Sequence, residues 1–115
     1  MIRVLLVDDE ADLTALLANQ LTRGGFEVRC ADSLTAAKEL VSDIPFDVLV
    51  TDLSLPDGDG IDVARLMRIP LRVAVTGSAA EADARRLRAE GFSDGLVKPV
   101  SYDRLVEAIK KATGT

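Results

Sequence analysis

The sequence predicts an α/β domain: a doubly wound, five-stranded parallel sheet of strand order 2-1-3-4-5 with five helices on its two faces. Three observations carry this. Short apolar runs recur at near-regular intervals, over Arg3–Val7, Glu27–Cys30, Asp47–Thr51, Arg72–Val75 and Gly95–Val97, and their brevity and β-branched content mark strands. Helical periodicity fills each gap between them, and strand alternating with helix implies parallel strands joined by right-handed crossovers. Finally, 115 residues with 48% hydrophobic content suit one domain, residues 1–115, and 3% aromatic content makes its core aliphatic.

Taken in order, the first helix is expected from the stripe Leu13, Leu16, Leu17 and Leu21, closed by Gly24-Gly25. Ala37, Leu40 and Val41 give a shorter second helix, with Asp32 or Ser33 as its N-cap. Ile61, Ala64 and Met67 or Arg68 mark a brief third helix that Pro70 stops, and Asp59 is placed to cap it. The fourth, from about Ala80 to Glu90, has only Ala80, Ala84 and Leu87 on one face, so it is expected to be weakly anchored. Arg85, Arg86 and Arg88 read as its solvated side. Ser101 caps the fifth helix, whose stripe is Tyr102, Leu105, Val106 and Ile109 and whose last turn carries Lys110-Lys111, favourable at the negative end of a helix dipole. Thr113-Gly114-Thr115 reads as the start of a linker.

Composition removes several function classes. A net charge of −5 argues against direct nucleic-acid binding, which needs clustered Lys and Arg. No apolar run approaches a membrane span and the N-terminus lacks a signal-peptide pattern, so a cytoplasmic protein is expected. Cys30 is the single cysteine, which rules out an internal disulfide, and its strand position predicts a buried thiol.

The chemistry lies where strands end. Asp8-Asp9-Glu10 follows the first strand, Asp52 closes the third ahead of Leu-Ser-Leu-Pro-Asp-Gly-Asp-Gly, Thr76 ends the fourth and Lys98 the fifth. In the order 2-1-3-4-5, strands one and three are neighbours at the switch point, so Asp8, Asp9 and Asp52 share a crevice. Two unit charges about 4 Å apart repel by roughly 4 kcal/mol at an effective dielectric of 20, so a cation is expected there. Oxygen-only ligands suit Mg²⁺. With a metal, a hydroxyl and an ammonium to stabilise phosphoryl oxygens, Asp52 is the natural nucleophile for an aspartyl phosphate. Asp57 and Asp59 read as turn acids in a loop shaped by Gly58 and Gly60.

These features, in this order and spacing, resemble the receiver domain of two-component response regulators, the CheY-like family with a flavodoxin-like fold, over essentially the whole chain. The resemblance implies a phosphorylation-controlled switch. Asp52 would take a phosphoryl group from a histidine kinase, a phosphotransfer protein or a small phosphodonor, and the chain would catalyse its own phosphorylation and dephosphorylation. Asp9, Asp52 and the Ser54 carbonyl would ligate Mg²⁺, with Asp8 holding a metal-bound water. Lys98 and Thr76 would meet phosphoryl oxygens, Gly77 would leave room for the group and donate its N–H, and the Lys98–Pro99 bond would be cis. The chain contains no histidine, so the donor is external. Gly95 stands where the family carries a switching aromatic and Val100 where it often carries Phe. Output is therefore expected through backbone movement of the Thr76–Glu81 loop and the weakly packed fourth helix, or through a different partner surface. The resemblance further implies an effector domain or downstream protein as partner and allows a homodimer through the face of the fourth and fifth helices. Starting at Met1 and ending after the fifth helix, the chain reads as a stand-alone regulator or one separated from its effector.

Two alternatives belong to other classes. An Asp-nucleophile phosphohydrolase of the haloacid dehalogenase type places a second Asp two residues after the nucleophile, where this chain has Ser54. A phosphorylation-independent pseudo-receiver, a pure binding module, would lack part of the acid, Thr and Lys set, which is complete here.

Overall fold

The computed structural model describes residues 1–114. Its elements are β1 (Arg3–Val7), α1 (Ala11–Arg23), β2 (Glu27–Ala31), α2 (Leu34–Asp43), β3 (Val48–Asp52), β4 (Ser54–Leu55), β5 (Gly58–Asp59), α3 (Gly60–Met67), β6 (Leu71–Thr76), α4 (Ala84–Ala89), β7 (Asp94–Val97) and α5 (Tyr102–Thr113). The main sheet is parallel in the order β2-β1-β3-β6-β7, which for its five members is the predicted 2-1-3-4-5.

The apolar strands follow from burial on both faces. Along β1, Leu5 and Val7 enter the core shared with Ala37, Ile61, Ala64, Met67 and Leu87 under α2, α3 and α4. Val4 and Leu6 enter the opposite core, with Leu17, Leu21, Leu105 and Ile109 under α1 and α5. A central strand covered twice needs no polar alternation, so β1 and β3 read as unbroken hydrophobic runs. Side-chain caps fix the helix starts: Ser33 accepts from Ala36 N–H, Asp59 from Ile61 N–H at 2.8 Å and Ser101 from Arg104 N–H. After α1, Gly25 adopts φ +96°, a left-handed conformation that favours glycine.

Several expectations need correction. Leu16 is 56% exposed, because the face that α1 buries runs through Thr14, Leu17 and Leu21, and the Thr14 hydroxyl is satisfied by donating to Glu10 C=O. Helix α4 starts at Ala84 instead of Ala80: Asp83 accepts a hydrogen bond from Arg85 N–H, which caps the helix there. Of its expected stripe only Leu87 is buried; Ala80 and Ala84 are exposed. Cys30 is exposed as well. It lies on the edge strand β2, and the facing residues of α1, Ala11 and Ala15, are too small to cover it, leaving a groove of about 430 Å³. Partial burial still pushes its thiol pKa up, the direction of an unreactive thiol. The antiparallel pair β4–β5 carries no sequence signal beyond its Gly and Pro. At the C-terminus, Thr113 belongs to α5 and Gly114 caps it, so the expected linker does not begin at Thr113; Thr115 lies outside the described residues.

Candidate functional site

Strand register carries the functional groups to one edge. Val7 pairs with Thr51, Asp52 with Val75, and Thr76 with Val97, so Asp8, Asp52, Thr76 and Lys98 leave the sheet at successive carboxyl ends. The backbone pins them. Asp8 N–H donates to Ala31 C=O, Leu53 N–H to Val75 C=O, and Lys98 N–H to Thr76 C=O at 2.8 Å. Gly60, the first residue of α3, lies so close to the Asp52 carbonyl that a Cβ there would collide with it. The Lys98–Pro99 bond is cis.

At the crevice, the Lys98 ammonium is 3.0 Å from Asp8 Oδ2, 2.7 Å from Glu10 Oε1 and 3.0 Å from Asp52 Oδ2. Asp8 Oδ1 accepts from Glu10 N–H, and Asp52 Oδ1 accepts from Ser54 N–H at 3.1 Å. Both aspartates are buried. Burial pushes the Asp8 carboxyl above the usual range, since a third of one ammonium and one N–H do not offset its desolvation. Burial works against the Lys98 charge too, but hydrogen bonds to Glu10, Asp8 and Asp52 outweigh it and hold the ammonium well above its ordinary pKa.

Carboxylate oxygens of Asp8, Glu10 and Asp52 lie within 4.8 Å of one another. Three carboxylates and one ammonium leave two formal negative charges, which one divalent cation would balance, and the donors are all oxygen, as Mg²⁺ prefers. The structure thus brings together Asp8, Asp52 and Lys98 as expected and adds Glu10. Asp9 is exposed at the rim and is not in that group; Ser54 is exposed beside Asp52. Thr76 is buried next to the Asp52 strand end, its hydroxyl donating to Glu81 Oε2 at 2.9 Å and accepting from Ser78 N–H at 3.1 Å. Gly77 is exposed with open space around it.

Sequence reasoning missed three contributors. Glu10 was visible as the acid after the Asp pair. Glu81 gives no signal, because nothing in a polar turn shows which way its carboxylate faces. Asp57 is more than a turn acid: it accepts from Leu34 N–H, Thr35 N–H and the Thr35 hydroxyl at 2.7–3.0 Å, so the loop after Asp52 caps α2. At the aromatic's position, a Cβ on Gly95 would come within 2.5 Å of Leu87 Cδ1. Leu87 fills the place that a side chain at residue 95 would need.

Buried aspartates and a lysine thus meet at the switch-point crevice of a doubly wound sheet, with a threonine buried at the next strand end. The family model for the response regulator receiver domain matches residues 4–110, and the chain belongs to that family. It is 34% identical over 115 residues to the response regulator protein PilR of Pseudomonas aeruginosa, covering 96% of this chain and 26% of PilR. It is 33% identical over 118 residues to the chemotaxis protein CheY of Thermotoga maritima, covering 96% and 97%. The chain therefore spans about a quarter of PilR but nearly all of CheY. Among solved structures, the non-phosphorylated HemR receiver domain of Leptospira biflexa superposes with a TM-score of 0.88 at 25% identity over 100% of this chain and 96% of that one. No helix is long and apolar enough to cross a membrane among the described residues.

Proposed function

We propose that this receiver domain is a cytoplasmic switch that accepts a phosphoryl group on Asp52 in the presence of Mg²⁺. The carrying observation is the convergence of Asp8, Glu10, Asp52 and Lys98 with two negative charges left over. A carboxylate oxygen of Asp52 forms a P–O bond as the donor's P–N bond, or acyl P–O bond, breaks, and the imidazole or carboxylate leaves with the electron pair. When bound, Mg²⁺ supplies charge neutralisation at the transferring oxygens. In this reading Asp52 would hold it from the crevice, the Ser54 carbonyl and Asp9 would join from the rim, outside the Asp8–Glu10–Asp52 group, and Asp8 would act through water. Lys98, already beside Asp52 Oδ2, follows onto a phosphoryl oxygen. Thr76 donates to another, and Gly77 offers its N–H with space around it.

The chain has no histidine, so the phosphodonor is a histidine kinase, a phosphotransfer protein or a small acyl phosphate. Output passes to an effector domain or a downstream protein, with a homodimer through α4 and α5 as one route. Intact-mass measurement after incubation with acetyl phosphate and Mg²⁺ tests the reading: one phosphoryl adduct on the wild type and none on Asp52→Asn. An unmodified wild type, or an equal adduct on Asp52→Asn, overturns it.

A further inference from the structure

The Thr76 hydroxyl has one proton, and in this structure Glu81 takes it. Thr76 Oγ1 donates to Glu81 Oε2 at 2.9 Å while accepting from Ser78 N–H, so its hydrogen-bonding capacity is committed away from the crevice. Yet Thr76 is the residue after Val75, the register partner of Asp52, and its side chain is buried at the strand end beside the acceptor. A hydroxyl bonded to a carboxylate is not available to a phosphoryl oxygen until that bond breaks.

We propose that Glu81 is a positioning residue for Thr76, a latch whose carboxylate keeps the hydroxyl in the resting arrangement and sets the threshold for the phosphoryl-bound one. The inference rests on the phosphoacceptor reading of Asp52. It adds a residue that holds the switch back. Two features make Glu81 suited to this. Its bond to Thr76 is charge-assisted, so exchange for a phosphoryl oxygen trades one strong acceptor for another and leaves a balance that a single residue can tip. Added negative charge on Asp52 also repels the Glu81 carboxylate, so the group that needs the hydroxyl weakens its competitor.

The latch also connects the site to α4. Glu81 lies in the turn that leads into α4, where Ala82 N–H donates to Ser78 C=O. The other end is held separately: Arg72 donates to Glu90 C=O at 2.7 Å, and Arg65 forms a bidentate pair with the Glu90 carboxylate. Releasing Glu81 removes one tie at the N-terminal side of α4, where the exposed Arg86–Asp59 pair remains as a side-chain link, while the C-terminal end stays pinned.

The test is the affinity of the protein for beryllofluoride with Mg²⁺, in wild type, Glu81→Ala, Glu81→Gln, Thr76→Ala and Glu81→Ala/Thr76→Ala. A net hydrogen bond to a charged group corresponds to a factor of about ten or more, so Glu81→Ala binds about tenfold tighter than wild type. Glu81→Gln, which keeps the shape and weakens the acceptor, falls between them. With Thr76 replaced by Ala, Glu81→Ala keeps only the small gain of a removed negative charge, well short of tenfold; a merely structural role would persist in full in that background. If wild type binds but Glu81→Ala does not bind more tightly, or the full gain survives without the Thr76 hydroxyl, the latch is overturned and the phosphoacceptor reading stands. If wild type binds no beryllofluoride, the phosphoacceptor reading itself fails and the latch with it.

Discussion

Lys98 Nζ lies 3.0 Å from Asp52 Oδ2 although their strands are not neighbours: β6 runs between β3 and β7, and the lysine reaches over its end. The same ammonium touches Asp8 and Glu10, so it is the counter-ion of the whole crevice.

Replacing Lys98 by Met leaves three carboxylates facing one another. Breaking a buried ion pair costs 3–5 kcal/mol, and in a crevice open to water the expected loss is about 2 kcal/mol at pH 7 without Mg²⁺, read by urea denaturation. The folded-state pKa of Lys98 is raised above its ordinary value of 10.5, so its stabilisation is complete below that pH and fades as pH rises through the higher folded value. The difference between wild type and Lys98→Met is therefore flat from pH 7 to about 9. Equal stability of the two proteins at pH 7 would contradict the counter-ion role.

Mg²⁺ is expected to raise the melting temperature. A ligand at 100 times its dissociation constant adds about 2.7 kcal/mol to the folded state. Asp52→Asn should lose most of that gain. A melting curve indifferent to tens of millimolar Mg²⁺ removes the metal site.

The clip from Asp57 to the start of α2 predicts an acid dependence. Hydrogen bonds from the Thr35 hydroxyl and from the Leu34 and Thr35 N–H groups hold the Asp57 carboxyl below the usual carboxylate range. A depressed folded-state pKa means stabilisation that is present above the unfolded value of 3.8 and is lost as pH falls through the folded value. Asp57→Asn is thus less stable than wild type at neutral pH, and the two converge in acid below pH 3.8. Thermal melts across that range check it, and a gap that widens toward acid would be the wrong sign.

Two glycines separate a steric requirement from open space. Gly60→Ala presses a methyl against the Asp52 carbonyl and should cost about 1–3 kcal/mol, as overpacking does, with amide shifts at Asp52 and Leu53. Gly77→Ala meets no atom within 4 Å and should stay within about 0.5 kcal/mol of wild type. Identical urea midpoints for the two variants would show that Gly60 has room to spare.

Much of this architecture was legible because burial on two sides writes itself into β1 and β3 as unbroken aliphatic runs, and because Asp8, Asp52, Thr76 and Lys98 each sit where such a run stops. Element order alone then puts them together. What stayed hidden depended on direction, not residue type. Leu16 and Thr14 are two positions apart on α1, and which of them faces the sheet is decided by how the helix lies. Cys30 looked buried because an edge strand and a central one can share a composition. Asp83 gave α4 a later start than its apolar spacing suggested, and the carboxylates of Asp57 and Glu81 act on partners that no local pattern names.

Leu87 is the buried residue of α4, and it occupies a notch that exists because residue 95 has no side chain. The six-residue helix is consequently mounted like a hinged shutter: riveted by Arg65 and Arg72 at Glu90, with one leucine as its buried peg and the exposed Arg86–Asp59 pair as a loose catch. Any bulk added at residue 95 would push against that peg and tilt the shutter off the sheet.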